Sequence, residues 1–464
     1  MQGEHHLVGV LVTVIALAVR GPVFDDSRRM ALGQQTLPAA RGLPVAVIGI
    51  GQGRTDDHHS NSRHEGHLSV NIHHSPGIAP LGTAGRQLGA RALADVMQST
   101  RQRTLGLIDA WARARPDLAV PCEPELNRPL WELGHIGWFQ EWWIGRNEQR
   151  DRGFECDPTH PRKPSRLPGA DSLYDSSAVA HARRWELLLP DLAQTRRYLD
   201  AVLAESLAIL SEAGSDDRAL YFWRLALYHE QMHNEAMAYM AQSQGIALPG
   251  ALVRHRQAAH AGEAASDGVS IGIPAQRWTL GSEQPGFAFD NEIGPHAVEL
   301  AAFQIDARPV CWNRYLPFVQ QTGHRLPPYV RQHSGQWESC AYGRWETLNL
   351  ESPAVHVSWT DAHAWCRWAG RHLPTEAQWE CAVHTQPALH WGAVWEWTDS
   401  VFEPYAGFVA HPYRDYSAPW FGSRKVLRGA CLATAQEMVN ARYRNFFPPE
   451  RRDIFAGFRT VGPA

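Results

Sequence analysis

Apolar side chains recur at three- and four-residue spacing from about residue 85 to 246. Leu93, Met97, Thr100, Thr104, Leu107 and Trp111 mark one such stripe, and Pro116 closes it. A second helix is expected to open near Asn127 and Pro129 and run to about residue 147. A third spans about 190–213, with Gly214 behind it. The fourth is capped by Asp216 or Asp217, continues to Gln244 and stops at Gly245. Four long helices joined by loops predict a four-helix bundle over residues 85–246. Residues 247–268, rich in Ala, Gly and His, read as a linker. Over residues 269–464 short strands, aromatics and turn clusters replace the helical period. Within that part a helix is expected over 359–369, capped by Ser358, and a shorter one after Pro374. The expected fold class is α+β.

Residues 1–84 follow no period and hold eight of the 24 histidines, so they read as a disordered or mis-started extension. The apolar run 7–19 is 13 residues long, too short to span a bilayer. A secretion signal would carry positive charge before that run, where Glu4, His5 and His6 stand.

At 464 residues the chain has room for two domains with real cores, and its 44% hydrophobic and 20% charged content is ordinary for a soluble protein. The net charge of −4 offers nothing to a nucleic acid or a membrane surface. Seven scattered cysteines without a C-x-x-C pair suggest reduced thiols in a cytoplasmic protein and argue against a thiolate zinc site. The 19 tryptophans matter because indole faces fill cores and also hold cationic ligands.

The chemistry sits among the histidines. His229 and His233 are one helical turn apart and share a helix face. His135 lies far upstream in a run, residues 131–139, that also reads as helix. Three neutral imidazoles converging between helices would bind Fe(II), Zn or Cu and leave positions open. Bundle histidines satisfied by hydrogen bonds are the bland alternative. Two imidazoles beside Phe222, Leu225, Ala226, Ala236 and Met240 would be costly to bury with nothing bound. The run from His229 to His233 also spells H-E-x-x-H, the zinc-peptidase pattern with Glu230 as base. The metzincin continuation is absent, and Glu230 lies about 100° round the helix from His229.

The C-terminal half resembles the formylglycine-generating-enzyme/sulfatase-modifying fold, which is related to lectin-like domains. The resemblance is carried by the runs 303–310, 353–362, 371–380, 394–398 and 456–459, the last being Ala456-Gly457-Phe458-Arg459. No cysteine follows Cys431, so formylglycine generation itself is not expected. The N-terminal half resembles a DinB-like bundle. The two together resemble the ergothioneine-type sulfoxide synthases and, through runs 129–135 and 173–177, their selenoneine synthase branch.

That resemblance implies a non-heme Fe(II), O2-dependent enzyme that joins hercynine to a selenosugar. The alternative is a sulfoxide synthase using cysteine or γ-glutamylcysteine; a zinc peptidase or a non-enzymatic binding module are distant readings. It places the iron ligands on His135, His229 and His233 and the catalytic tyrosine on Tyr413. Tyr416 and Phe446 would offer faces to hercynine's trimethylammonium, Asn445 would orient the substrate, and Arg451 would pair a carboxylate. Two departures stand out. Met232 replaces a Gln that some members use on hercynine, and Phe447 replaces an acid that would meet the donor's ammonium. No nucleic-acid or membrane partner is expected.

Overall fold

The computed structural model describes residues 84–253, 268–282 and 285–464. The expectations for residues 1–83 and for most of the linker lie outside the described residues.

Among the described residues the helices before the sheets include α1 (Ala90–Ala114), α2 (Pro129–Gln140), the short α3 (Ala170–Tyr174), α4 (Leu192–Leu210) and α5 (Tyr221–Ser243). Pro129 starts α2 at a position where its missing N–H is no loss. Asp191 caps α4 in a reciprocal box with Gln194. The fourth long helix begins later than expected, at Tyr221, because the Asp216 side chain instead accepts from the backbone N–H groups of Arg218 and Ala219 in the preceding turn. The second ends sooner: after Gln140 the chain widens into a π-helical turn, Glu141–Gly145.

α5 is the central element. Every residue from Tyr221 to Gln242 is buried, so each polar group on it must find a partner or a ligand. It packs on α1 and α2, while α4 packs on α2. Gly137 lets α2 approach α4, since a Cβ there would meet Leu199 at 2.9 Å.

The C-terminal part is built of small sheets. β1 (Ser270–Ile273), β4 (Phe303–Asp306) and β12 (Val461–Pro463) form one antiparallel sheet in the order β1-β4-β12. β8 (Trp395–Val401), β9 (Lys425–Gly429), β10 (Asn445–Phe447) and β11 (Ala456–Gly457) form another in the order β10-β9-β8-β11, with β11 parallel to β8. β2 (Gln276–Leu280) pairs with β3 (His296–Leu300), and β5 (Val330–His333), β6 (Gln336–Ala341) and β7 (Arg344–Thr347) form a separate three-stranded sheet. Helices α7 (Trp359–Ala369) and α8 (Glu376–Thr385) match the expectation, with Ser358 and Thr375 as caps. A further helix, α6 (Trp312–Thr322), was hidden in the sequence by Pro317 inside it.

The helices share one apolar core with the β10-β9-β8-β11 sheet, from Leu93 on α1 to Phe458 beyond β11, while Ile273, Leu280, Leu300, Ile305 and Val461 of the other strands form a second core with Cys381 of α8. Polar clasps cross the same boundary. Glu235 on α5 accepts from Trp395 Nε1 (2.6 Å) and Thr434 Oγ1 (2.7 Å), and Gln231 donates to Glu437 (3.0 Å). Among the described residues no helix is long and apolar enough to cross a membrane, and all seven cysteines are free.

Candidate metal centre

His135 comes from the middle of α2, and His229 and His233 come from adjacent turns of α5. The two helices lie side by side, so the three imidazoles meet. Their ligand atoms lie within 4.8 Å of one another, and the ring centroids are 4.5–5.0 Å apart. All three are at most 1% exposed.

Aromatic packing fixes the rings. His135 stacks between Trp131 (4.8 Å) and Trp138 (5.8 Å), its neighbours one turn away on α2. His229 lies flat on Phe139 at 3.5 Å. Hydrogen bonds set which nitrogen faces inward. His135 Nδ1 meets the carbonyl of Tyr174 at 2.8 Å, and His233 Nδ1 is bonded to the Glu132 carboxylate. A Cβ at Gly134 would overlap the Tyr174 ring, so only glycine lets that carbonyl reach His135.

The three Nε2 atoms are buried without a hydrogen-bond partner. An unsatisfied buried polar atom is costly, and three pointing at one another are costlier. Burial first, and then the neighbouring imidazoles, holds His135 and His229 well below the ordinary histidine range, so both are neutral bases at pH 7. Three imidazole nitrogens converging in a buried site fit a divalent metal ion, and among the described residues no thiolate or carboxylate belongs to the cluster.

Glu230 does not. It is tied to α1 by Arg101 Nε (2.8 Å) and Nη2 (3.0 Å) and by Thr104 Oγ1 (2.6 Å). The helix turns its carboxylate away from the histidines, which removes the base that a zinc peptidase would need.

Tyr413 stands next to the trio. Its ring lies 6.3 Å from His229 and 4.9 Å from Phe139. Its hydroxyl is buried with no partner, and burial, followed by Asp415 and Asp175, pushes the phenol well above its ordinary pKa. Beyond Phe139 and Tyr413 lies a cavity of about 240 Å³ lined also by Trp138, Trp142, Trp143, Asp175 and Asp415. The π-helical turn brings Trp142 and Trp143 to this wall.

The remaining expected residues divide between two faces. Tyr416 lies 5.9 Å from Tyr413 and touches Met232 Sδ (3.8 Å) and Tyr443 OH (3.0 Å) through its hydroxyl. Phe446 meets the edge of Tyr416 at 5.8 Å, but one of its faces is covered by Phe402 at 4.0 Å. Asn445 and Phe447 point to the opposite side of β10 from Phe446. The Asn445 amide oxygen accepts from the Phe446 N–H, and Phe447 packs 5.1 Å from the Arg451 guanidinium. Arg451 was expected on a substrate carboxylate; instead its fork engages Asp453 through two 2.6 Å bonds. The sequence reading missed Glu132, Asn127 and the Trp138-Trp142-Trp143 wall. The tryptophan count was the one available signal.

Residues 256–388 and 389–464 match the model of the sulfatase-modifying factor enzyme 1-like domain. The chain is 28% identical over 449 residues to the hercynine oxygenase of Mycolicibacterium smegmatis, covering 80% of this chain and 99% of that protein. It is 29% identical over 433 residues to the hercynine oxygenase of Mycobacterium tuberculosis, covering 79% and 97%. The formylglycine-generating enzyme of Streptomyces coelicolor is 26% identical over 257 residues, 38% of this chain and 81% of that one. The resemblance to the ergothioneine-type sulfoxide synthases is therefore borne out, and the chain is an oxidoreductase. The relatives favour the sulfoxide-synthase alternative over the selenosugar reading.

Proposed function

We propose that this protein is a hercynine sulfoxide synthase. It would join a thiol sulfur to the imidazole carbon between hercynine's two ring nitrogens, with O2 as oxidant. Atoms balance: hercynine, thiol and O2 give the sulfoxide and one water. The substrates surrender a C–H and an S–H hydrogen, the sulfur gains one oxygen atom, and the other leaves as water. The observation that carries the reading is the set of three partnerless Nε2 atoms beside Tyr413, in a chain similar over 80% of its length to a hercynine oxygenase.

His135, His229 and His233 would hold iron(II), which when bound supplies the redox chemistry coupling O2 to carbon–sulfur bond formation. The protein's part is placement and exclusion of water. Its buried surroundings keep the Tyr413 phenol protonated, and its free hydroxyl can give a proton to a reacting group at the trio. The indole faces of Trp138, Trp142 and Trp143 suit a trimethylammonium group, which cannot donate a hydrogen bond. The helical part is read as a DinB-like bundle over 85–246, joined by 247–268 to the sheet-bearing part at 269–464.

Phe447 offers no anion to a donor's ammonium, which is the argument for a neutral selenosugar. What supports a charged donor instead is that Asp175 and Asp415 line the cavity beside Tyr413. Cysteine or γ-glutamylcysteine then has a partner for its charge. Iron-loaded protein given hercynine, O2 and each donor in parallel tests this. A sulfoxide from a thiol donor supports the reading. Product from the selenosugar alone restores the selenium reading, and no product from any donor ends both.

A further inference from the structure

Glu132 lies three residues before His135 on α2, yet its carboxylate is bonded to His233 on α5. One turn of α2 therefore presents a candidate ligand and also grips the ligand of the neighbouring helix. The grip is itself anchored: Asn127 Nδ2 donates to Glu132 Oε1 at 2.5 Å, just ahead of the proline that starts the helix. Glu132 and Asn127 are both completely buried. His135 is held differently, by the neutral carbonyl of Tyr174.

We propose that Glu132, steadied by Asn127, is a positioning residue that fixes the tautomer and ring angle of His233 and strengthens it as a metal ligand. A carboxylate accepting from Nδ1–H leaves the Nε2 lone pair facing the trio and makes the imidazole a better donor. It also places one negative charge beside a dication, at one ligand of the three. Arg184, whose charge also favours the ionised form of this carboxylate, lies over the Trp131 face at 3.8 Å.

The inference rests on the metal-centre reading, and the test separates the two. Cobalt(II) is titrated anaerobically into metal-free full-length protein, followed by its visible absorption and by competition with a chelator. If wild type takes up no cobalt, the metal centre itself fails. If wild type binds, Glu132→Gln is expected to bind about 10–100-fold more weakly. Its cobalt spectrum should shift, and the iron protein should have a raised reduction potential, because a neutral amide replaces an anion. Wild-type affinity and spectrum in a folded Glu132→Gln protein would overturn the assignment. Should that variant not fold, Asn127→Ala decides, since it keeps the carboxylate and removes its anchor. Weakened cobalt binding is expected there, and unchanged binding overturns the proposal.

Discussion

Glu230 and Arg101 form a buried two-pronged ion pair, Nε–Oε1 at 2.8 Å and Nη2–Oε2 at 3.0 Å, that locks α5 to α1. The glutamate of the H-E-x-x-H run is thus spent on the scaffold. Removing one partner of such a pair leaves an uncompensated buried charge and costs about 3–5 kcal/mol. Glu230→Gln should lower the denaturation midpoint accordingly and leave metal stoichiometry unchanged. Loss of metal with stability intact would put Glu230 back among the ligands.

Gly134→Ala tests the support of His135. The added methyl would overlap Tyr174, whose carbonyl holds His135 Nδ1. Overpacking of this kind costs about 1–3 kcal/mol. Metal affinity should fall together with the thermal midpoint. A variant with wild-type affinity would show that the carbonyl contact is dispensable.

Tyr413→Phe removes a hydroxyl that has no hydrogen-bond partner, so stability should change by less than about 0.5 kcal/mol. Single-turnover product formation should slow by about 100-fold or more, as befits loss of a positioned proton donor, with hercynine affinity preserved. An unchanged chemical step would remove Tyr413 from the mechanism.

Asp290 carries a pH signature. Burial, against the hydrogen bonds from Ser417 Oγ (2.5 Å) and the His411 N–H (3.3 Å), raises its carboxyl to about 6. Its folded-state value lies above the unfolded one, so its contribution is fully present below about pH 4 and is lost as pH rises through about 6. The ionised group then costs about 3 kcal/mol at neutral pH. Urea midpoints of wild type and Asp290→Asn should coincide near pH 4, separate between about pH 4 and 6 and stay apart above that, with the variant more stable. Curves that stay parallel across that window would contradict the shift. Taking the difference cancels other groups, such as His411, which burial depresses to about 4.

The parts legible in the sequence were those written in local spacing. The pair His229 and His233, the Ser358 cap and the Pro129 start all lie within one helical turn of their consequences. Glu132 was not legible, because its partner His233 is 101 positions away and only the packing of α2 on α5 joins them. The π-helical turn that brings Trp142 and Trp143 to the cavity leaves no periodic mark. Arg451 shows the converse: its partner Asp453 stands two residues on, so a salt bridge and a substrate carboxylate are equally open readings of the same fork. The acid missing at Phe447 is a signal at one position, whereas Asp175 and Asp415 reach the cavity lining from distant loops that no local spacing links.

The central claim is that one metal ion is shared by His135, His229 and His233. Anaerobic equilibrium titration of the full chain with iron(II) tests it most directly, in wild type and in each single His→Ala variant. The account predicts one ion per wild-type chain and loss of that site in all three variants. A wild-type chain that binds no iron, or a site that survives all three substitutions, would contradict it.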